Sequence, residues 1–358
     1  MGASQSLVRS QPFQLVQIGV TLLRIIWKRI SSAFLVLFAA SFFTFFLSRI
    51  VPNDPALAYI GGKTTAADEE KVRALLGLDQ PLPIQYFKYL RDMLKGNWGY
   101  SLSTKQPVLS EILHRLPATL ELIFFAVGFA LLLGIICGII SARKPKGFAS
   151  SFIRISAIAG ISVPAFWLGL LLQLLFVGKF HIFPATGEFD IDIKFTNPIH
   201  HITGFPLFDS LITGNFTALT SGLKHMVLPA LTLSAYSFGL IARMSRGNLL
   251  EVLGQEYINV ARANGISERL ILFKLALKNA IPPVITVTGL STAYLITGTF
   301  FVEQVYGWPG IGGFAANSLI SVDYPAIMGI TILGAVGYLV INFLVDIIYA
   351  KLDPRVKL

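Results

Sequence analysis

Six stretches of about 20 apolar residues punctuate this chain, and a run of that length is what a helix needs to cross about 30 Å of hydrocarbon. They lie at about Ile30–Ile50, Pro117–Ile140, Ile155–Val177, Met226–Met244, Ile281–Phe301 and Ala326–Ala350. Inside a bilayer no water is at hand for the backbone N–H and C=O groups, so each stretch must satisfy them internally as a helix. The alternating ten-residue strands of a membrane barrel are absent. The fourth stretch is the weakest, because Ser234, Tyr236 and Ser237 sit at its centre. It reads either as a span or as a buried amphipathic helix. The charged fraction agrees with a lipid solvent: 13%, against roughly 25% in soluble proteins.

The net charge of +10 would suit nucleic acid, but basic loops beside membrane spans produce the same sum, so no nucleic-acid partner is expected. With both termini in the cytoplasm, the inner segments 1–29, 142–154, 243–279 and 351–358 hold 17 Lys and Arg in 87 residues. The outer segments 49–117, 179–224 and 303–325 hold 12 in 138. The bias predicts a multi-pass protein of the cell membrane with both ends inside. The first apolar run has no small-residue cleavage site after it and is too long for a signal peptide. The single cysteine, Cys137, rules out an intrachain disulfide.

The chain therefore divides into an N-terminal cytoplasmic segment (1–29), a first span (30–50), an outer subdomain (51–116), a core of five spans (117–350) holding a cytoplasmic loop at 246–280, and a tail (351–358). In the subdomain, Ala66–Gly77 reads as a short helix with Asp68, Glu69 and Glu70 in its first turn and a glycine at its end. Pro81–Lys95 reads as a second helix, and 179–224, rich in Gly, Pro, Asn and Thr, as an irregular outer loop.

Chemistry-bearing patterns are sparse. Gly62-Lys63-Thr64 has the end of a phosphate-binding loop, but Leu57 occupies the place of its first glycine. The histidines, His114, His181, His200, His201 and His225, all fall outside or at the outer edge, and the adjacent pair His200–His201 has no Cys or acidic cluster to complete a metal site. No nucleophile elbow or paired carboxylates are visible, so the chain is read as non-enzymatic, with no cofactor or metal. Two acids lie near membrane depth: Glu121, placed to snorkel or pair at the outer surface, and Asp346, placed to face Lys351 or Arg355. A secondary transporter or channel would carry more central charges and inverted repeats than this.

The informative segment lies between spans four and five. Glu256–Asn264 reads as a short helix, and Gly265 can take the left-handed conformation that ends it. Ser267 is placed as the N-cap of a following helix, with Ile266 and Ile271 at the two positions of a hydrophobic staple. Pro282 and Pro283 are expected to break the chain at the membrane edge. The result is a capped helix–turn–helix knob projecting from two spans. From spacing alone, Tyr257, Val260, Ala261 and Ile266 either pack against neighbouring helix ends or meet a partner.

This loop resembles the coupling loop of ABC importer permeases of the dipeptide, oligopeptide and nickel branch. Glu256-Tyr257 followed by Ala261-Arg262-Ala263-Asn264-Gly265 matches that branch's D/E-Y-V-x-x-A-R-A-x-G, and Pro282 matches its later proline. Six further segments resemble family signatures in the same order. They are Val51-Pro-Asn-Asp-Pro55, Leu116-Pro-Ala-Thr-Leu-Glu-Leu122, Ser162-Val-Pro-Ala-Phe166, Leu228-Pro-Ala-Leu-Thr-Leu233, Val302-Glu-Gln-Val-Tyr-Gly-Trp-Pro-Gly-Ile-Gly312 and Asp323-Tyr-Pro325. Leu352-Asp-Pro-Arg355 matches the last signature.

The resemblance implies an all-α, six-helix type I importer permease: one N-terminal span plus a five-helix core. It implies a homologous second permease subunit, two cytoplasmic ATPases holding the ATP and Mg, and an extracytoplasmic solute-binding protein. Glu256, Tyr257, Val260, Ala261, Arg262, Ala263, Gly265 and Ile266 would meet the ATPase. Peptide is the first choice of solute, with nickel chelate, glutathione or oligosaccharide as alternatives in the same family. At the outer face, Glu303, Trp308, Pro309 and Gly310 form a turn that either closes a gate, receives the binding protein or anchors at the interface. Ser162, Thr288, Ser291, Thr292 and Thr297 either line the solute pathway or pack helix on helix.

Overall fold

The computed structural model describes residues 11–50, 56, 60 and 65–352. The chain is helical throughout, with a single isolated bridge between Tyr100 and Pro107 among the described residues. The helices are α1 (Gln11–Ile50), α2 (Ala66–Leu76), α3 (Leu82–Leu94), α4 (Val108–Arg143), α5 (Phe148–Ser162) and α6 (Ala165–Leu172). Then follow α7 (Ile193–Thr196), α8 (Pro206–Ile212), α9 (Phe216–Leu253), α10 (Glu256–Ala263), α11 (Leu277–Tyr306), α12 (Ile311–Ile320) and α13 (Tyr324–Leu352). Five of them are long and apolar enough to span a membrane. The Val51–Pro55 and Leu352–Arg355 signatures fall wholly or largely outside the described residues, as does the side chain of Asp346.

The third apolar stretch departs from a single straight span. Phe148–Ser162 and Ala165–Lys179 meet at an angle of 118°. Pro164 explains the break: it withholds an N–H from the helix and drives Val163 to φ −82° and ψ 128°, an extended conformation. The opposite holds at the other membrane prolines. Pro117 lies inside α4, Pro229 inside α9, and Pro282–Pro283 inside α11. The expected break at Pro282 does not occur. A π-helical turn at Ile271–Ala276 leads straight into α11, and nearby side chains reach the local carbonyls: Thr286 Oγ1 donates to Pro282 O at 3.3 Å and Asn248 Nδ2 to Ala280 O at 3.4 Å.

The weakest stretch proves to be the hub. Helix α9 packs against α4, α5, α6, α8 and α11, and its central Ser234 and Ser237 are buried. Between helices in lipid there is little hydrophobic drive, so close approach of small residues supplies the contact. Ala126, Ala130, Gly134, Gly138 and Ala142 recur every fourth residue and are all buried on α4. A Cβ added at Gly138 would overlap Ser245 Cβ, and one at Gly134 would reach Ile241 Cβ at 2.9 Å. The outward faces carry Phe34, Phe43, Phe124 and Leu132, all exposed, as lipid-facing side chains should be.

The outer subdomain sits on the flank of the core. On α1, Phe38, Phe42 and Phe45 surround Tyr86, whose hydroxyl bonds Ser41 Oγ at 2.8 Å. Helix α2 ends at Gly77 with φ +66°. The 179–224 loop is less irregular than its composition suggests, for it contains α7, α8 and the first turns of α9.

Gly138→Leu should therefore separate α4 from α9 and cost about 1–3 kcal/mol, the usual size of an overpacking penalty. Gly128→Leu, where nothing lies within 4 Å of the added Cβ, should change stability by less than about 0.5 kcal/mol. Thermal unfolding of the two variants in detergent measures the difference.

Candidate functional site

The inner knob is built as a clamp around one glycine. Gly265 takes φ +74°, and the turn closes with Gly265 N–H to Arg262 O at 2.9 Å and Ile266 N–H to Ala261 O at 3.1 Å. That pair of bonds is the Schellman termination of a helix. Ser267 occupies the N-cap position of the next turn, although its hydroxyl makes no capping bond. Across the turn, Arg262 Nε donates to Glu268 Oε1 at 2.8 Å. Ile258, Ala261 and Ile271 form the knob's own buried cluster, so Ile271 is used internally while Ile266 stays exposed. Asn279 Nδ2 donates to the Tyr257 hydroxyl at 2.9 Å and ties the knob to the foot of α11.

Two readings of the knob residues thus separate. Ala261 packs inward. Glu256, Tyr257, Val260, Arg262, Ala263, Gly265 and Ile266 remain exposed. Val260 at 59% and Phe273 at 55% exposure, with Leu270 beside them in sequence, leave apolar surface on the knob that the chain itself does not cover. Phe273 and Leu270 escaped the sequence reading; their signal was the position of large apolar residues outside any span.

The outer turn is a different kind of structure. Glu303 is fully buried, with Oε1 accepting from Thr119 Oγ1 at 2.7 Å and Oε2 from Gly313 N–H at 3.1 Å. Thr119 Oγ1 in turn accepts from Ile311 N–H at 2.8 Å. Trp308 is 2% exposed, and its Nε1–H donates to Ala118 O at 3.0 Å. The interface-anchor reading of Trp308 is therefore wrong: the indole is locked into α4 because its one donor finds a carbonyl there. Gly310 cannot carry a side chain, since an added Cβ would strike both Glu303 carboxylate oxygens and Thr119 Oγ1. Only Pro309 of the four is exposed. Tyr306, buried beside them, shares a hydrogen bond with Thr232 at 2.9 Å and donates to Gly169 O at 3.2 Å, linking α11 to α9 and α6.

Three more buried carboxylates repeat this device at the same end of the bundle. Glu121 neither snorkels nor meets a cation; its Oε1 accepts from Leu207 N–H at 3.1 Å and Phe208 N–H at 3.2 Å, at the start of α8. Asp323 accepts from Ser101 Oγ at 2.5 Å and from Ser103 N–H at 3.1 Å, and its Oδ1 takes the Ala326 N–H at 3.2 Å. Asp209 collects Ile202, Thr203 and Gly204 N–H groups at 2.9–3.1 Å. Burial opposes charge on Asp209, but the Thr203 hydroxyl and these backbone donors outweigh it and hold its carboxyl below the usual carboxylate range.

The candidate pathway residues scatter. Ser162 is exposed at the bend between α5 and α6. Thr288 and Ser291 are buried with their hydroxyls turned onto α11's own carbonyls, and half-buried Thr292 does the same. The side chain of Thr297 lies outside the described residues. Sequence reasoning missed the pair Tyr236 and Tyr294, whose rings lie 4.6 Å apart between α9 and α11. His200 and His201 are exposed, whereas His225 is buried and its Nδ1 lies 2.9 Å from Ser221 O. Among the described residues, no group of three or more His, Cys, Asp or Glu side chains converges on one point.

Residues 134–358 match the family model described as binding-protein-dependent transport system inner membrane component, and residues 22–123 match the model of its N-terminal part. Among curated proteins, the chain is 40% identical over 337 residues to the probable D,D-dipeptide transport system permease protein DdpB of Escherichia coli K12, covering 94% of this chain and 98% of that one. It is 35% identical over 322 residues to the dipeptide transport system permease protein DppB of Alkalihalophilus pseudofirmus, covering 90% and 96%. It is 34% identical over 323 residues to the oligopeptide transport system permease protein AppB of Bacillus subtilis, covering 90% and 95%.

Glu303→Ala should leave the Gly313 N–H without a partner and open a cavity, destabilising the outer turn by about 3 kcal/mol, while Glu303→Gln, of the same shape, should cost less. Proteolysis near Pro309 reads the difference. For Asp209, whose folded carboxyl titrates below the unfolded value of about 3.9, the stabilisation is complete above that value and is lost as pH falls through the folded one. The protection factors of the Ile202, Thr203 and Gly204 amides should fall over that window and, in Asp209→Asn, be low at every pH.

Proposed function

The chain belongs to the family of binding-protein-dependent transport system inner membrane components, and from that premise we propose that it forms half of the translocation pathway of a peptide importer driven by separate ATPase subunits. The reading rests on the knob: a capped turn with uncovered apolar surface, running without a break into α11 and joined to α9 through the two-residue link Gly254–Gln255. Such a surface is what a groove on another polypeptide would bury. The names of the relatives, dipeptide and oligopeptide permeases, support peptide as the solute.

In this reading a second, homologous permease completes the pathway, two cytoplasmic ATPases bind and hydrolyse ATP, and a solute-binding protein delivers the peptide from outside. This chain supplies no catalytic group. Both termini face the cytoplasm, following the Lys and Arg bias. Closure of the ATPases pushes the knob, α9 and α11 carry the displacement, and the outer turn, clamped by Glu303 and Trp308, moves as one piece with them. The Tyr236–Tyr294 pair, with one ring half-buried and the other exposed, belongs to the pathway side, where a polar-tipped aromatic meets water and solute instead of acyl chains. The residues expected to grip the ATPase are Tyr257, Val260, Ile266, Leu270 and Phe273, with Ala261 holding them from behind.

Gly265 has open space around it, so its substitution tests backbone conformation alone. Gly265→Asn, tolerant of positive φ, should transport at near wild-type rate. Gly265→Val should cost about 1–2 kcal/mol at the turn and uncouple ATP hydrolysis from uptake. Val260→Asp should abolish co-purification of the ATPases with the permease pair. Undiminished co-purification by that variant would refute the docking assignment. Dipeptide uptake into proteoliposomes holding the full complex, with and without ATP, supplies the coupling measurement.

A further inference from the structure

A cavity of about 210 Å³ opens between α4, α5 and α9 near their inner ends. Three arginines line it, Arg154 from α5 and Arg243 and Arg246 from α9, and no acid does. Ile153, Ile158 and Ile161, from the same helix as Arg154, give the cavity an apolar side. Guanidinium groups at a membrane surface ordinarily extend into water, but the Arg246 Nε is buried and has no hydrogen-bond partner among the described residues. Arg154 uses one nitrogen on Ser151 Oγ at 3.1 Å, and none of the three forms an ion pair among the described residues. A buried guanidinium donor without an acceptor is costly and marks a place for an anion.

We propose that this cavity binds the phosphate of an anionic phospholipid, with the acyl chains running along α5. Three features select a lipid over a free anion. The arginines lie at the level where α4 ends and the basic turn Arg143, Lys144 and Lys146 begins, the depth of a headgroup. One wall is apolar. From the lining Ile158, α5 continues outside the cavity with Phe152 and Ile155, all three exposed, as a track for a hydrocarbon chain. Basic recesses between spans on the cytoplasmic side suit anionic headgroups on electrostatic grounds. The lipid would bridge α5 to α9 just before the bend at Pro164, and so hold in place the arm that the bend otherwise leaves joined through one turn. That the leaflet is the cytoplasmic one rests on the orientation proposed above; the pocket itself does not.

The test uses the full transporter in nanodiscs of phosphatidylcholine doped with a photo-crosslinkable phosphatidylglycerol, with labelled residues mapped by mass spectrometry and no ATP present. Wild type should be labelled within 153–161. Arg154→Gln, an exposed position that leaves the fold intact, should lower the yield about fivefold, and the triple variant R154Q/R243Q/R246Q about a hundredfold, following about one kcal/mol per basic residue. R243K/R246K should restore most of what the R243Q/R246Q pair removes. Equal labelling by a phosphatidylcholine probe, displacement of the label by excess inorganic phosphate, or an unchanged yield in Arg154→Gln would each overturn the proposal. A wrong orientation would leave the label intact and appear instead as protection from leaflet-selective probes, so the two failures are distinguishable.

Discussion

The contact between α4 and α9 is the one on which the remaining structure depends. In lipid an apolar surface gains nothing by leaving its solvent, so two helices stay together only where their backbones come close enough for dense contact. The run of Ala and Gly at every fourth position of α4 supplies that closeness, and Ile241, Ala242 and Ser245 of α9 fill it. With α9 held there, α5, α6 and α11 find their places on its other faces. The polar residues that weaken α9 as a membrane span are the same ones that suit it to the middle of the bundle.

The two ends of the bundle are finished in opposite ways. At one end four carboxylates, Glu121, Asp209, Glu303 and Asp323, accept from backbone N–H groups at helix starts and turns. Burying each carboxylate is expensive, and the N–H groups they meet would otherwise be orphans of helix termini. Each cost offsets the other, and the outer loops become rigid. At the other end the knob leaves Val260, Leu270 and Phe273 exposed and packs Ile258, Ala261 and Ile271 within itself. The knob and the clamped turn at Glu303–Gly310 are joined by α11 through an unbroken π turn, with no loop between them.

The membrane helices were legible in the sequence because hydrophobic length and the need to satisfy the backbone leave one solution. The turn at Gly265 was legible because a helix end followed by glycine has a single common geometry, and the αL value of +74° follows. The site was less so. Trp308 and Glu303 stand in a segment that looks like an exposed aromatic turn, and nothing local reveals that Ala118 and Thr119, more than 180 residues away in sequence, will receive them. Glu121 looked like a surface acid because its partners, Leu207 and Phe208, are backbone groups, which leave no trace in side-chain composition.

Local sequence by itself therefore determined the number and approximate place of the apolar helices and the glycine turn, since each depends on neighbours within a few residues. Tertiary structure alone decided which prolines break a helix. Pro164 bends its helix through 118°, whereas Pro229 and Pro282 are carried within continuous helices. It also decided which acids are buried and which face of the knob stays bare. The reason is the same in each case: a freed carbonyl, a buried carboxylate or an apolar side chain has its energy set by what the fold brings beside it, and that partner lies elsewhere in the chain.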